Sequence, residues 1–275
     1  MANVFITGCS SGFGLLTALH FARQGDRVTA TLRTPATADA LHGAIAAERL
    51  PITVLKLDVR DPASIASAVQ ATGPIDVLVN NAGVELRSSI EDAAEEDVQW
   101  QFDTNVFGLL RVLRAVLPGM RERRAGIVVN VSSIAGLVSR PYGGLYAATK
   151  HAVEAITEAL HFEVAPFGIR VVSIEPGQYG TRLLDNAVLG KGFTKASPYW
   201  ERSEKFDVAL ARLRPGGKPS DPQEVAQLIW DAVHTTEPRL RYLAGQDAVM
   251  IATAKKQLEF EAFEQSMRQA LDWWD

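Results

Sequence analysis

The chain has 275 residues, 47% of them hydrophobic, with 28 Lys plus Arg against 32 Asp plus Glu and a formal charge of -4. That balance excludes collagen-like, disordered and strongly basic nucleic-acid-binding compositions, and the length suffices to bury a sizeable core. The single cysteine, Cys9, excludes an intrachain disulfide and a thiolate metal site and fits a reducing compartment.

The first predicted strand is Val4–Thr7. The opening "MANVFITG" lacks the basic flank and apolar core of a signal peptide, and no apolar run approaches a membrane span. The expectation is a cytoplasmic protein with no membrane span. The strand runs into "TGCSSGFGL", where Gly8, Gly12 and Gly14 lead into a helix. Such glycines let a backbone turn sharply and approach a pyrophosphate at a helix N-terminus. They also suit a plain tight connection, and the spacing is not G-x-G-x-x-G, so both possibilities stay open.

Further short apolar runs follow at Arg27–Leu32, Ile52–Leu57, Ile75–Val79, Ile127–Val131, Ile169–Ile174 and Leu240–Leu243. They alternate with longer stretches of helical period, the pattern of parallel strands joined by crossover helices, which predicts an α/β chain with seven strands. Two helix starts are explicit. "DPAS" at Asp61 and "DPQE" at Asp221 each offer an Asp N-cap and Pro at the first helical position, and Glu224 offers a capping-box partner to the second. "RERR" at Arg121–Arg124 fits a solvated helix end favouring cations. The five histidines, His20, His42, His151, His161 and His234, have no ligand spacing, so no metal is expected.

No linker or repeat interrupts this alternation. One long irregular stretch, about 178–219, contains "GKGF" and "RPGGKP" but also Phe193, Tyr199, Trp200 and Phe206, aromatics that need somewhere to be buried. One domain, 1–275, with a substrate lid over 178–219 is the expectation.

"TGxxxGxG" from Thr7, "NNAG" from Asn80, the helical Asn105, "VSS" ending at Ser133, "YxxxK" at Tyr146 and "PGxxxT" from Pro176 are similar in order and spacing to the short-chain dehydrogenase/reductase family. "TGCSSG" and "ATLR" resemble its hydroxysteroid and retinol dehydrogenase branch. The resemblance runs almost end to end. It implies a Rossmann-type, doubly wound sheet of seven parallel strands in the order 3-2-1-4-5-6-7, and an oxidoreductase acting on a carbonyl or secondary alcohol. It also implies a catalytic tetrad of Asn105, Ser133, Tyr146 and Lys150, with Asn105 in a water-mediated proton relay through Lys150, and self-association as a homodimer or homotetramer through the helices carrying Asn105 and Tyr146. Ser133 rather than Ser132 stands thirteen residues before the tyrosine, as the family places its serine. By the same resemblance Gly8, Ser10, Ser11, Gly12, Phe13 and Gly14 form the pyrophosphate turn. Asp58 with Val59 contacts adenine, Asn81, Ala82 and Gly83 border the ribose, and Pro176, Gly177, Tyr179 and Thr181 line the nicotinamide. Phe13 departs from the smaller aliphatic residue usual there.

The YxxxK spacing has its own chemistry. Reducing a ketone by hydride leaves an alkoxide that needs a proton, and a phenol is a good donor only if its pKa of about 10 is brought toward the working pH. One helical turn puts Lys150 on the face of Tyr146. An ammonium about 4 Å from the phenolate contributes on the order of 4 kcal/mol at an effective dielectric near 20, about three pKa units before desolvation opposes it. Tyr142, a rival phenol one turn earlier, has no lysine four residues on. Asn105, among apolar neighbours, also suits the simpler task of satisfying a buried backbone group.

Cofactor choice is legible at the end of the second strand, "RVTATLRT". An NAD-specific site places a carboxylate there for the ribose 2′-hydroxyl. Leu32 occupies that position, and Arg33 next to it offers a planar, charge-assisted contact to a 2′-phosphate. Ser10 and Ser11 offer hydroxyl donors. NADP(H) is therefore expected over NAD(H), and the lid aromatics predict an apolar small-molecule substrate.

Overall fold

A computed structural model describes residues 1–180, 187–214 and 218–273. Its first half alternates strand and helix: β1 Asn3–Thr7, α1 Gly12–Arg23, β2 Arg27–Leu32, α2 Asp39–Glu48, β3 Ile52–Lys56, α3 Pro62–Thr72 and β4 Val77–Asn80. A two-residue β5, Leu86–Arg87, precedes α4 Glu95–Phe102, α5 Gly108–Arg123, β6 Gly126–Val131, α6 Gly144–Val164 and β7 Ile169–Pro176. The rest comprises β8 Val188–Leu189, α7 Trp200–Arg212, α8 Gln223–His234, β9 Arg241–Ala244, α9 Gln246–Gln257 and α10 Phe260–Leu271.

Seven strands form one parallel sheet in the order β3-β2-β1-β4-β6-β7-β9. Counted within that sheet alone, this is the expected 3-2-1-4-5-6-7. Alternation along β1 shows why both faces are covered. Val4 and Ile6 point into a core with Ala18 and Phe21 of α1 and Val225 and Ile229 of α8. Phe5 between them points the other way, into a core with Ile65 of α3, Val112 and Val116 of α5 and Val153 and Leu160 of α6. The second sheet is new relative to the sequence expectation. Its strands β5 and β8 pair in parallel over two residues each, too short to leave a periodic signal.

Asp61 caps α3 as expected, accepting from the Ala63 amide at 2.9 Å with Pro62 at the first position. The start of α8 differs. Asp221 does accept from the Gln223 amide at 2.9 Å, but the helix begins at Gln223 with Pro222 as its cap. Glu224 accepts from the Tyr179 hydroxyl at 3.2 Å instead of closing a capping box, a tertiary partner displacing a local one.

Between α4 and α5 the chain widens into a π-helical turn, Asp103–Phe107, which contains Asn105. The region expected to be irregular also holds the thirteen-residue helix α7. Phe206, Ala209, Leu210 and Leu213 follow helical spacing and pack against Tyr142, Leu271 of α10 and Trp273. Among the described residues no helix is long and apolar enough to cross a membrane.

Candidate active site

β1 delivers the chain to a turn whose Gly8 and Gly12 have φ of 76° and 57°, a region that side chains disfavour. Gly14 answers a different need, since a Cβ there would sit 2.4 Å from both the Gly8 carbonyl oxygen and Asn81 Nδ2. Asn81 Nδ2 donates to the Thr7 and Gly8 carbonyls at 2.9 and 3.1 Å, and Thr7 Oγ1 accepts from the Asn81 and Ala82 amides, each at 3.0 Å. The "NNAG" loop is thereby stitched to the glycine turn. Ser11, extended at the N-cap of α1, makes no side-chain capping bond, and the first turn of α1 carries no acidic residue. Free amides at the positive end of a helix dipole, with no Cβ at Gly12, are a good fit to a dinucleotide's pyrophosphate.

Ser10, Ser11, Gly12 and Phe13 line one cavity of ≈ 1160 Å³ that also reaches Leu32, Arg33, Asp58 and Val59. Phe13 packs edge-on to Tyr179, ring centroids 5.6 Å apart. Leu32 is buried and Arg33 is exposed at the strand end. Asp58 accepts from the Arg60 amide at 2.9 Å and pairs with its guanidinium at 3.2 Å. Burial pushes the Asp58 carboxyl up, but the Arg60 bonds and the Arg33 charge outweigh it and hold the group below its usual range.

Three of the four tetrad positions, Ser133 at the end of β6 and Tyr146 and Lys150 on α6, line this cavity. The Ser133 hydroxyl donates to the Pro176 carbonyl at 3.5 Å and accepts from the Ala135 amide at 3.1 Å. Ser132 also reaches the cavity wall, but its Oγ is buried without a partner among the described residues. Tyr142 adopts φ 60° and joins an aromatic cluster with Phe193, Phe206 and Trp273 instead of the cavity wall.

The Lys150 ammonium also has a partner that the helical spacing did not announce. It donates to the Val131 carbonyl at 2.9 Å and stands 5.7 Å from the Tyr146 ring centroid, because a buried ammonium takes the acceptor that the β6 end presents. Burial draws Lys150 down to about 8 against the opposing charges of Glu154 and Glu85. The Tyr146 phenol lies above its ordinary value, raised first by burial and then by Glu85, with the Ser133 hydroxyl and Arg140 acting the other way.

Asn105 serves the buried backbone. Its Oδ1 accepts from the Val84 amide at 2.8 Å, and its Nδ2 donates to the Val84 carbonyl at 2.8 Å and to Thr149 Oγ1 at 3.0 Å. A Cβ on Gly83 would lie 3.5 Å from Asn105 Oδ1 and 3.9 Å from Lys150 Nζ, so both side chains border that glycine.

At the end of β7, Pro176, Gly177, Gln178 and Tyr179 form the neighbouring wall. Thr181 lies outside the described residues. Asp247 in the first turn of α9 supports this wall and carries no sequence motif. Its Oδ2 accepts from the Gln178 amide at 2.7 Å, and a Cβ on Gly177 would lie 2.3 Å from its Oδ1. Sequence also missed an ion-pair set on the cavity wall, Glu85 with Arg140 and Arg87 with Asp207 at 2.5 Å. Phe260, Phe263, Met267 and Leu271 of α10 add an apolar wall.

The residues 2–191 match the family model described as short chain dehydrogenase. The chain is 38% identical over 275 residues to the uncharacterized oxidoreductase YusZ of Bacillus subtilis, covering 97% of each. It is 36% identical over 258 residues to human 17-beta-hydroxysteroid dehydrogenase type 1, covering 88% of this chain and 77% of that protein. A crystal structure of a short-chain dehydrogenase from Streptomyces avermitilis, 36% identical, superposes with a TM-score of 0.82 over 98% of this chain and 99% of that one. A parallel sheet with a glycine turn at its centre, one long cleft across its strand ends and relatives of matching length leave one assignment: this chain belongs to the short-chain dehydrogenase family of nicotinamide-dependent oxidoreductases.

Proposed function

We propose that the protein interconverts a carbonyl and a secondary alcohol on an apolar substrate, with NADP(H) preferred over NAD(H) and Tyr146 as general acid and base. The observation that carries this is the convergence of Ser133, Tyr146 and Lys150 on the cavity that also contains the uncapped glycine turn. The bound nicotinamide supplies or accepts the hydride. Tyr146 gives its phenolic proton to the carbonyl oxygen during reduction and, as phenolate, takes it back from the alcohol during oxidation. Ser133 orients the phenol and shares the charge that builds on the substrate oxygen. Lys150, largely protonated near neutral pH, returns a proton to the phenolate, and Asn105 holds the water that resupplies it.

The cavity supports an apolar substrate through the α10 side chains, and the relative named for a hydroxysteroid supports the same class. A panel of apolar ketones and alcohols, run with each nicotinamide and followed at the cofactor absorbance, tests the proposal. No turnover with any member would leave it without support.

The 178–219 segment is proposed as a lid within a single domain. Its described part carries β8 and α7, which meet the body at β5 and through the Arg87–Asp207 pair. Hydrogen exchange across α7 is expected to slow when NADPH and an apolar substrate analogue are both present. Equal exchange with and without them would remove the lid.

Phe107 and Phe162, 50% and 70% exposed near the π-helical turn and on α6, support a homodimer or homotetramer across the helices that carry Asn105 and Tyr146. Sedimentation equilibrium at micromolar concentration is expected to give a multiple of the 29.9 kDa chain, and a monomer mass would end that assignment. Cytoplasmic residence is proposed from the lone Cys9, buried and with its thiol pushed up to about 12.

A further inference from the structure

Strand β5 turns a charged face to the cavity. Alternation puts Arg87 and Glu85, the residue just before the strand, on one side and Leu86 on the other. Glu85 and Arg87 line the cavity, while Leu86, 1% exposed, does not. The backbone on both sides of Leu86 is fixed, since the Glu85 carbonyl accepts from the Val188 amide at 2.9 Å and the Arg87 carbonyl from the Gly190 amide at 3.0 Å. Each charge meets an opposite one from another element. Glu85 pairs through Oε1 with Arg140 of the loop before α6. Arg87 pairs with Asp207 of α7 at 2.5 Å and donates to Ser203 Oγ at 3.1 Å. Val188 and Leu189 of β8 and Phe206 and Leu210 of α7 bring apolar side chains to the same cavity.

A buried ion pair contributes little to stability, because desolvation offsets the attraction and apolar residues of similar volume do as well. The second Glu85 oxygen has another use open to it. The side chain is 4% exposed, and Oε2 makes no hydrogen bond among the described residues. Glu85 stands two residues after Gly83, which Asn105 and Lys150 border, and Val84 between them is bonded through amide and carbonyl to Asn105. Arg140 lies against Gly143, where a Cβ would be 3.1 Å from its Nε, three residues before Tyr146. The pair is thus built into the same two segments that carry the partner of Asn105 and the phenol. A buried carboxyl oxygen on a cavity wall, its twin held by a guanidinium, orients whatever polar group fills the space beside it.

We propose that Glu85 is a specificity-determining residue, its free oxygen taking a hydroxyl that the substrate carries in addition to its reacting carbonyl or alcohol, with Arg140 holding the carboxyl in place. The substrate is then an apolar body with a second, uncharged hydroxyl. Charge selects against the alternatives. The two carboxylates and two guanidiniums of these pairs sum to zero, so an anionic substrate group would face Glu85 and Asp207, and a cationic one Arg140 and Arg87. Burial raises the Glu85 carboxyl, with the Arg140 charge and bond acting against it. The protonated form donates a hydrogen bond and the ionised form accepts one. A hydroxyl answers both, whereas a ketone or ether oxygen answers only the first.

Binding at Glu85 presupposes the reading above that this cavity takes the substrate beside the nicotinamide, so the test measures affinity without turnover. A ketone cannot react with NADP+, and calorimetry on the NADP+-saturated protein gives its Kd. The probes are tetralone, its phenolic isomers, which have no hydride to give, and the same isomers with methyl, carboxylate or aminomethyl in place of the hydroxyl. At least one phenol is expected to bind about tenfold or more tighter than its methyl counterpart, which leaves Glu85 unpaired, and tighter than its charged counterparts. In Glu85→Met/Arg140→Met, which buries no lone charge, that preference is expected to fall within about twofold of unity. Tighter binding of a charged isomer, or a preference that survives in the double variant, would overturn the assignment. Should the double variant not fold, the 13C resonance of the Glu85 carboxyl, identified by its loss in Glu85→Gln, decides. A shift with the phenol that the methyl isomer does not produce supports the contact, and identical spectra refute it. Binding of the whole set without preference ends the hydroxyl contact alone. Failure of every member to bind ends the substrate site and the contact with it, so the two failures are distinguishable.

Discussion

Tyr146→Phe should bind the cofactor with nearly the wild-type Kd and lose turnover by roughly 10²–10⁴-fold, the range that a positioned general acid supplies. The substitution removes one oxygen from a side chain 6% exposed and leaves the ring in its packing. Ser133 keeps its bond from the Ala135 amide, and the glycine turn is untouched. Fluorescence titration with NADPH and steady-state rates separate the two quantities. Retention of more than about a tenth of wild-type kcat, a loss under about 1.4 kcal/mol, would remove Tyr146 from its assigned role.

The second large effect concerns the nicotinamide. Unmutated protein should favour NADPH in kcat/KM, and Arg33→Ala should lower that ratio by roughly ten- to a hundredfold, since a hydrogen bond to a charged group contributes about 1.5–3 kcal/mol. Leu32→Asp should reverse the preference toward NADH by placing a carboxylate beside the 2′-phosphate site. Leu32 is 3% exposed and belongs to the core around β1 and β2, so this variant should also melt at a lower temperature. Its cofactor ratio is therefore compared below its own Tm. A wild-type preference for NADH would show that the end of β2 does not select a phosphate.

The sheet was legible in the sequence because a strand buried on both faces has to be largely apolar, and "VFI", "VLV" and "IVV" are. The glycine turn and the YxxxK pair were legible because spacing within one turn or one helix carries their meaning. Helix α7 was hidden by the Gly- and Pro-rich stretches on either side, although Phe206, Ala209, Leu210 and Leu213 already had the period. Glu85 with Arg140, and Asp247 with Gln178, left no trace at all. Their partners lie 55 and 69 residues away, and no local pattern encodes a meeting across that distance. The Lys150 bond to the Val131 carbonyl was hidden for a related reason, since helical spacing fixes a face and says nothing about acceptors beyond the helix.

Helices α7 and α10 pack on one another through Phe206, Ala209, Leu210 and Leu271, and both lie beyond residue 191, where the match to the family model stops. Ser133, Tyr146 and Lys150 are held by hydrogen bonds among residues 131–176, none of which involves either helix. Drift in α7 and α10 thus reshapes the cavity while Ser133, Tyr146 and Lys150 keep their partners. An ancestral chain could trade one substrate for another by small steps, each retaining turnover, and a protein engineer grafting a new cap has the same freedom.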